Sequence, residues 1–329
     1  MTWHKKYSLS DLIVVGDAQR HSQAHEIEQQ IEDLCACFGI MLPHFAEYNS
    51  MTTCVLPHTP VERLVPIGVL NNLLYYLNDM YDRHTRTSAD MAMQAKLRQV
   101  FQTGIHTLVT GTIPDEDHFF YDVLLYLHQE FQQQAQGAWI LRLARSLIHH
   151  LNATTYSISS VIINDKVDVG HYIAVRELDS RLNPMLDMLE FAGGYYLPAD
   201  ILNERHLRYM RGLCTKIGAL MNDLFSYEKE VLQRGSRFNL LVAYMDSYGM
   251  TFDEAVHHSI EMLNVWSISF LDTLADMPDY ADPLLNARVN AYTQGMKDIL
   301  GATWHWQMHS ERYRSSTSPF NELKPRLSA

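Results

Sequence analysis

Two short runs of residues carry oxygen groups at spacings that could hold a divalent cation. The first is Asn78-Asp79-Met80-Tyr81-Asp82, and the second is Asn222-Asp223-Leu224-Phe225-Ser226-Tyr227-Glu228-Lys229-Glu230. In the second run Asn222, Ser226 and Glu230 recur every four residues, so on a helix they fall in a narrow arc of one face. An amide oxygen, a hydroxyl and a carboxylate converge there, and such hard oxygen ligands suit Mg²⁺, which commonly arrives with phosphate. Asn and Ser are indifferent helix formers, so their place in mid-helix asks for a reason. In the first run Asn78 and Asp82 share a face four residues apart, and Asp79 precedes Asp82 by three. A solvated helix end with Asp82 paired to Arg83 or Arg86 remains the alternative there.

Helices must present both runs. Leu64, Val65, Ile67, Val69, Leu70, Leu73, Leu74 and Leu77 make the stretch before Asn78 apolar nearly all round, as in a buried helix of about 64–84. Leu213, Ile217, Leu220 and Leu224 form an apolar stripe opposite the second run, in a helix of about 203–232. Further helices are expected at about 252–276 and 282–309, and Asn183-Pro184 suits a helix start. Alternating strand patterns are nearly absent, so about ten helices with short connections predict an all-α, single-domain helical bundle over 1–329. The residues before about 20 and after about 314 are weakly patterned, as in mobile ends.

The chain is 47% hydrophobic over 329 residues, enough for one large core. Its formal net charge of -12 argues against a nucleic-acid partner, whose phosphates require a basic surface. A diphosphate remains compatible when cations bridge it to the protein. No basic-flanked apolar N-terminus or run of about 18 apolar residues occurs, so neither a signal peptide nor a membrane span is expected, and a cytoplasmic location is. Cys35, Cys37, Cys54 and Cys214 lack zinc spacing and read as reduced core thiols. The His149-His150 and His257-His258 pairs read as surface residues.

Taken together the motifs resemble the class I terpene synthases. Asn222-Asp-x-x-Ser226-x-x-x-Glu230 is similar to their second metal motif, and Asn78-Asp79-x-x-Asp82 to their aspartate-rich motif. Tyr172-Ile173-Ala174-Val175-Arg176 resembles the segment with a diphosphate-sensing arginine, and Asp179 and Ser180 match the linker and effector positions after it. Near the C-terminus Trp306-x-x-x-Ser310-x-Arg312-Tyr313 resembles the closing Arg-Tyr motif. The four lie in family order over roughly 64–314.

The resemblance implies a helical bundle around a deep apolar cavity, with three Mg²⁺ ions at its mouth. One ion would be bound by Asn222, Ser226 and Glu230 and two by Asn78, Asp79 and Asp82. Arg176, Lys229, Arg312 and Tyr313 would donate to diphosphate oxygens. Tyr75, Tyr76, Phe191, Phe225 and Trp306 are candidates for the aromatic wall that a carbocation needs. The implied activity is ionisation and cyclisation of a linear prenyl diphosphate, with farnesyl diphosphate first and geranylgeranyl diphosphate next. Asn78 departs from the family, which opens this motif with aspartate; either Asp79 or Asp82 takes over, or that side binds metal weakly. A chain-elongating prenyl transferase and a non-catalytic isoprenoid- or partner-binding protein are the rival readings, and a homodimer is left open.

Overall fold

Caps and apolar periodicity set the helices of this computed structural model. It describes residues 7–43, 45–82, 88–113, 120–162, 166 and 168–325, and among these the side chains at 79, 81, 82, 88–94, 97 and 158–162 lie outside the described set. In chain order the helices are α1 (Ala24–Cys37), α2 (Phe45–Val55), α3 (Val61–Asp82), α4 (Ser88–Thr110), α5 (Phe120–Gln134), α6 (Gly137–Ile162) and α7 (Val169–Asp179). There follow α8 (Leu182–Gly193), the single turn α9 (Ala199–Leu202), α10 (Arg205–Tyr227), α11 (Leu240–Tyr248), α12 (Phe252–Ala275) and α13 (Pro283–His309). No strand occurs among the described residues.

Local chemistry fixes the ends. The Asp168 carboxylate opens α7 by accepting from His171 N–H at 3.0 Å, and Thr251 and Glu254 form a capping box at α12. Asp282 caps α13 ahead of Pro283 at its first turn. Pro66 lies inside α3 and cannot bond the Glu62 carbonyl; Gln134 of α5 donates to that oxygen at 3.2 Å instead.

Two apolar clusters fill the interior. One gathers α1, α3–α6 and α8 with the first half of α10 and with α13. The other gathers α11, α12, the second half of α10 and the C-terminal segment. Thus α10 runs through both, and its Leu213, Ile217, Leu220 and Leu224 are all buried. Within the first cluster the fully buried Asp187 and Glu190 of α8 are met by Arg211 of α10 and Arg142 of α6. A buried carboxylate is tolerated when paired in this way.

Several expectations need correction. The described parts of the two chain ends are packed against the helices: Leu9, Leu12 and Val15 are buried, as are Phe320 and Leu323. Asn264 of α12 ties the N-terminal segment down, accepting from Ile13 N–H at 2.7 Å and donating to the Asp11 carbonyl at 2.9 Å. A Cβ on Gly301 of α13 would fall 2.8 Å from the Gly16 carbonyl, so the segment crosses the helix at backbone contact. These apolar residues are too few and too irregularly spaced to show as a helical or strand period. His150 and His257 are buried, unlike their exposed neighbours His149 and His258, because adjacent helix positions point 100° apart. Cys35 and Cys214 are buried thiols, whereas Cys37 is exposed.

Candidate active site

A cavity of about 570 Å³ opens between α3, α7, α8, α10 and α13. The structure brings Tyr75, Asn78, Arg176, Asp179, Ser180, Asn222, Glu230, Trp306, Arg312 and Tyr313 to its wall, from four stretches distant in sequence. Another cleft, of about 610 Å³, lies on the flank of α10 around Arg205, Arg208 and Lys216; it contains none of the motif residues.

The second oxygen run sits where α10 changes its winding. Residues Glu228–Gln233 form a π-helical turn, so Glu230 is the third residue of a wider coil. Ser226 Oγ donates to Glu230 Oε2 at 2.9 Å. The Asn222 oxygen accepts from Arg176 Nη2 at 3.0 Å, and its amide donates to the Tyr313 hydroxyl at 2.9 Å. An amide, a hydroxyl and a carboxylate are thus held together, a hard-oxygen donor set that fits Mg²⁺.

Arg176 is anchored from behind. Its Nε donates to Asp223 Oδ1 at 2.8 Å, and its Nη1 lies 3.6 Å from Asp179 Oδ2. Asp223 also accepts from the Tyr172 hydroxyl and, at 3.2 Å, from Leu240 N–H. Burial pushes the Asp223 carboxyl above the ordinary carboxylate range, while Arg176 and the hydrogen bonds hold it down. Burial works against the Arg176 charge too, and Asp223 leads the neighbours that more than restore it.

Asp179 and Ser180 end α7. Thr154 and Ser157 of α6 donate to the Asp179 carboxylate at 2.5 and 3.4 Å. The next residue, Arg181, turns the chain into α8 with a left-handed φ of 64°, an uncommon choice for a side-chain-bearing residue. Its guanidinium lies 4.1 Å from the centre of the Tyr75 ring, which stacks on Tyr48 at 4.1 Å. Arg312 bonds the Tyr48 hydroxyl and lies over both Tyr48 and Tyr313. Trp306 is fixed by its indole N–H, which donates to the Glu47 carbonyl at 2.9 Å.

Five expected residues are not on this wall, and of these Ser226 is buried behind it and reaches it only through its bond to Glu230. Phe191 is fully buried and stacks on Trp139 at 5.1 Å, inside the first cluster. Phe225 is buried in the second cluster, 6.2 Å from the Tyr313 ring. Tyr76 packs against both clusters, one helix position away from the wall-lining Tyr75. Lys229 lies in the π-helical turn beside Glu230 and does not line the cavity. Each sits on a helix face that the tertiary packing turned elsewhere. The Asp79 and Asp82 side chains lie outside the described residues, although both positions belong to α3.

Sequence reasoning passed over Asp223, Arg181, Arg234 and Tyr48. Asp223 lay inside the motif, and its 100° offset from Asn222 was the available sign that it faces the core. Arg181 directly follows the linker and effector positions, and it lines the cavity with Arg234. Tyr48 carries no sequence signal, since α2 reaches the site only through its packing.

Known proteins resemble this chain in sequence and fold. The family described as terpene synthase family 2, C-terminal metal binding, matches residues 70–267. Terpene cyclase 4 of Gibberella fujikuroi is 21% identical over 82% of this chain and 72% of its own length. Sesquiterpene synthase Agr1 of Cyclocybe aegerita is 24% identical over 75% of this chain and 69% of its own. The crystal structure of germacradien-4-ol synthase from Streptomyces citricolor superposes with a TM-score of 0.78 at 16% identity, covering 92% of this chain and 99% of that one.

Proposed function

The chain belongs to terpene synthase family 2 and is a class I terpene cyclase, and from that premise we propose that it ionises farnesyl diphosphate and cyclises it to a sesquiterpene. The observation that supports the site assignment is the meeting of Asn222 and Glu230 with Arg176, Arg312 and Tyr313 on one cavity wall, with the buried Ser226 bonded to Glu230 behind it. The relatives named as sesquiterpene synthases support the C15 substrate. Geranylgeranyl diphosphate is the alternative that a cavity of about 570 Å³ leaves open.

A divalent cation is the cofactor, and we assign it as Mg²⁺. Asn222, Ser226 and Glu230 would hold one ion, and Asn78, Asp79 and Asp82 would hold two more. When bound, the metal neutralises the departing diphosphate as a Lewis acid. Arg176, Arg312 and Tyr313 orient the diphosphate by donating to its oxygens, with Arg181 and Arg234 adding positive charge nearby. Arginine's planar fork suits that task. Tyr75 and Trp306 offer ring faces to the cation left behind. Leu182 and Ala219 add apolar wall beside them.

The test is incubation of the chain with C10, C15, C20 and C25 prenyl diphosphates and Mg²⁺, with diphosphate release and volatile products measured together. Cyclic C15 products at the highest turnover are expected. A preference for C20 would overturn the substrate, and a longer linear diphosphate as product would overturn cyclisation in favour of chain elongation.

A further inference from the structure

The cavity wall carries two polar side chains that the diphosphate chemistry does not use. Thr303 and Gln307 both belong to α13 and stand one helical turn apart on the same face. They are 3% and 2% exposed. Neither Thr303 Oγ1 nor Gln307 Oε1 has a hydrogen-bond partner among the described residues. Of the buried polar atoms left in that state among the described residues, these two alone come from residues that line this cavity. Elsewhere on α13, Thr293 Oγ1 donates to the Asn290 carbonyl at 3.0 Å and the Trp306 indole donates to the Glu47 carbonyl, whereas the Trp304 indole, also without a partner among the described residues, does not line the cavity.

A pocket built only for hydrocarbon would favour valine and leucine at these positions, since an unsatisfied buried polar group is costly. A buried water becomes stable when two or more polar partners converge on it. One water bonded to both side chains would supply each missing bond. Met51, Leu182, Gly218, Ala219 and Trp306, from other parts of the same wall, offer it little competition.

We propose that Thr303 and Gln307 hold a water molecule against the isoprenoid, and that this water captures the final carbocation, so that the product is a terpene alcohol. The proposal rests on the class I reading of the cavity. In the step, a lone pair on the water oxygen forms the new C–O bond to the cationic carbon. One O–H bond of the resulting oxonium breaks, and its proton passes to an oxygen of the cleaved diphosphate. One water is consumed per turnover, nothing is oxidised or reduced, and a neutral alcohol leaves.

The test is turnover in H₂¹⁸O, followed by mass spectrometry of the products, for the wild-type chain, Thr303→Val, Gln307→Leu and the double variant. The wild-type product is expected to be an alcohol with one ¹⁸O. Loss of one hydrogen bond to the water should lower the alcohol-to-hydrocarbon ratio by about tenfold in each single variant. Diphosphate release should persist, because neither residue touches the metal motifs. Normal diphosphate release with only hydrocarbon products would overturn the capture and leave the cyclase reading standing. An unchanged alcohol fraction in the double variant would overturn the assignment to these two residues. Failure of every prenyl diphosphate to release diphosphate would overturn the cyclase reading and the capture together. A high-resolution crystal structure provides a check independent of turnover: a water bonded to both side chains is expected, and a dry contact there would overturn the proposal.

Discussion

At the scale of single residues, Arg176 serves two masters. One edge of its guanidinium is committed to Asp223 and the Asn222 oxygen, while Nη1 points toward Asp179 at the cavity. Arg176→Lys keeps the charge but loses the fork, and turnover should fall by about tenfold or more, as expected for a charged hydrogen bond of roughly 1.5–3 kcal/mol. Normal kinetics with lowered thermal stability would mark Arg176 as a structural ion-pair residue alone. Asp223→Asn should act the other way round. It strips the counter-charge from a buried cation, and chemical denaturation should show a loss of about 3–5 kcal/mol. Glu230 is the one carboxylate of its trio. Glu230→Gln should therefore raise the Mg²⁺ demand of turnover by more than the roughly 10–100-fold typical of losing an outer partner of a metal ligand. A Mg²⁺ titration of the rate that superposes on wild type would remove Glu230 from the site.

At the scale of elements, the bend between α7 and α8 is the junction on which the site depends. His150 of α6 lies beneath it, near Asp179, Arg181, Arg176 and the Leu178 backbone. Burial pushes its imidazole down to about 4, aided by Arg181 and Arg176 and opposed by Asp179. Between the ordinary value near 6.5 and about 4, the unfolded chain binds a proton that the folded chain refuses. The stability from neutral His150 is then complete above pH 6.5 and is lost as pH falls toward 4. His150→Asn should flatten that part of the stability–pH curve relative to wild type. Parallel curves, measured by denaturant midpoint at each pH, would rule out a buried neutral imidazole. The same junction sets the cavity's width. A Cβ at Gly218 of α10 would meet Leu182 Cδ1, the first residue of α8, at 2.6 Å, and both residues line the cavity. Gly218→Ala should press Leu182 inward and reduce turnover of a C20 diphosphate more than of a C15 one. Equal losses for both would place this contact beyond the substrate's reach.

At the scale of the whole molecule, a chain of net charge -12 repels a bare diphosphate, so cations must mediate its binding. Inorganic diphosphate with Mg²⁺ should raise the melting temperature, by about 2.7 kcal/mol of stabilisation at a hundredfold excess over Kd. Diphosphate or Mg²⁺ alone should do much less, and an equal rise with diphosphate alone would argue for a purely cationic site. The all-helical architecture was legible from apolar periodicity, because each helix writes its buried face into its own residues, as α10 does with Leu213, Ile217, Leu220 and Leu224. The spacing of Asn222, Ser226 and Glu230 was legible for the same reason: all three are local to α10 and the π-helical turn that continues it. The packing of the ends was not, since Leu9, Val15 and Phe320 find their partners across long stretches of chain. Nor could sequence say which aromatics face the cavity. Tyr75 and Tyr76 are adjacent and chemically alike, and only the seating of α3 among its neighbours sends Tyr75 to the wall. Sequence by itself determined the helices and the chemistry each one carries, because both follow from spacing along a single axis. Tertiary structure alone decided which faces meet around the cavity, because that depends on how thirteen helices among the described residues share one interior.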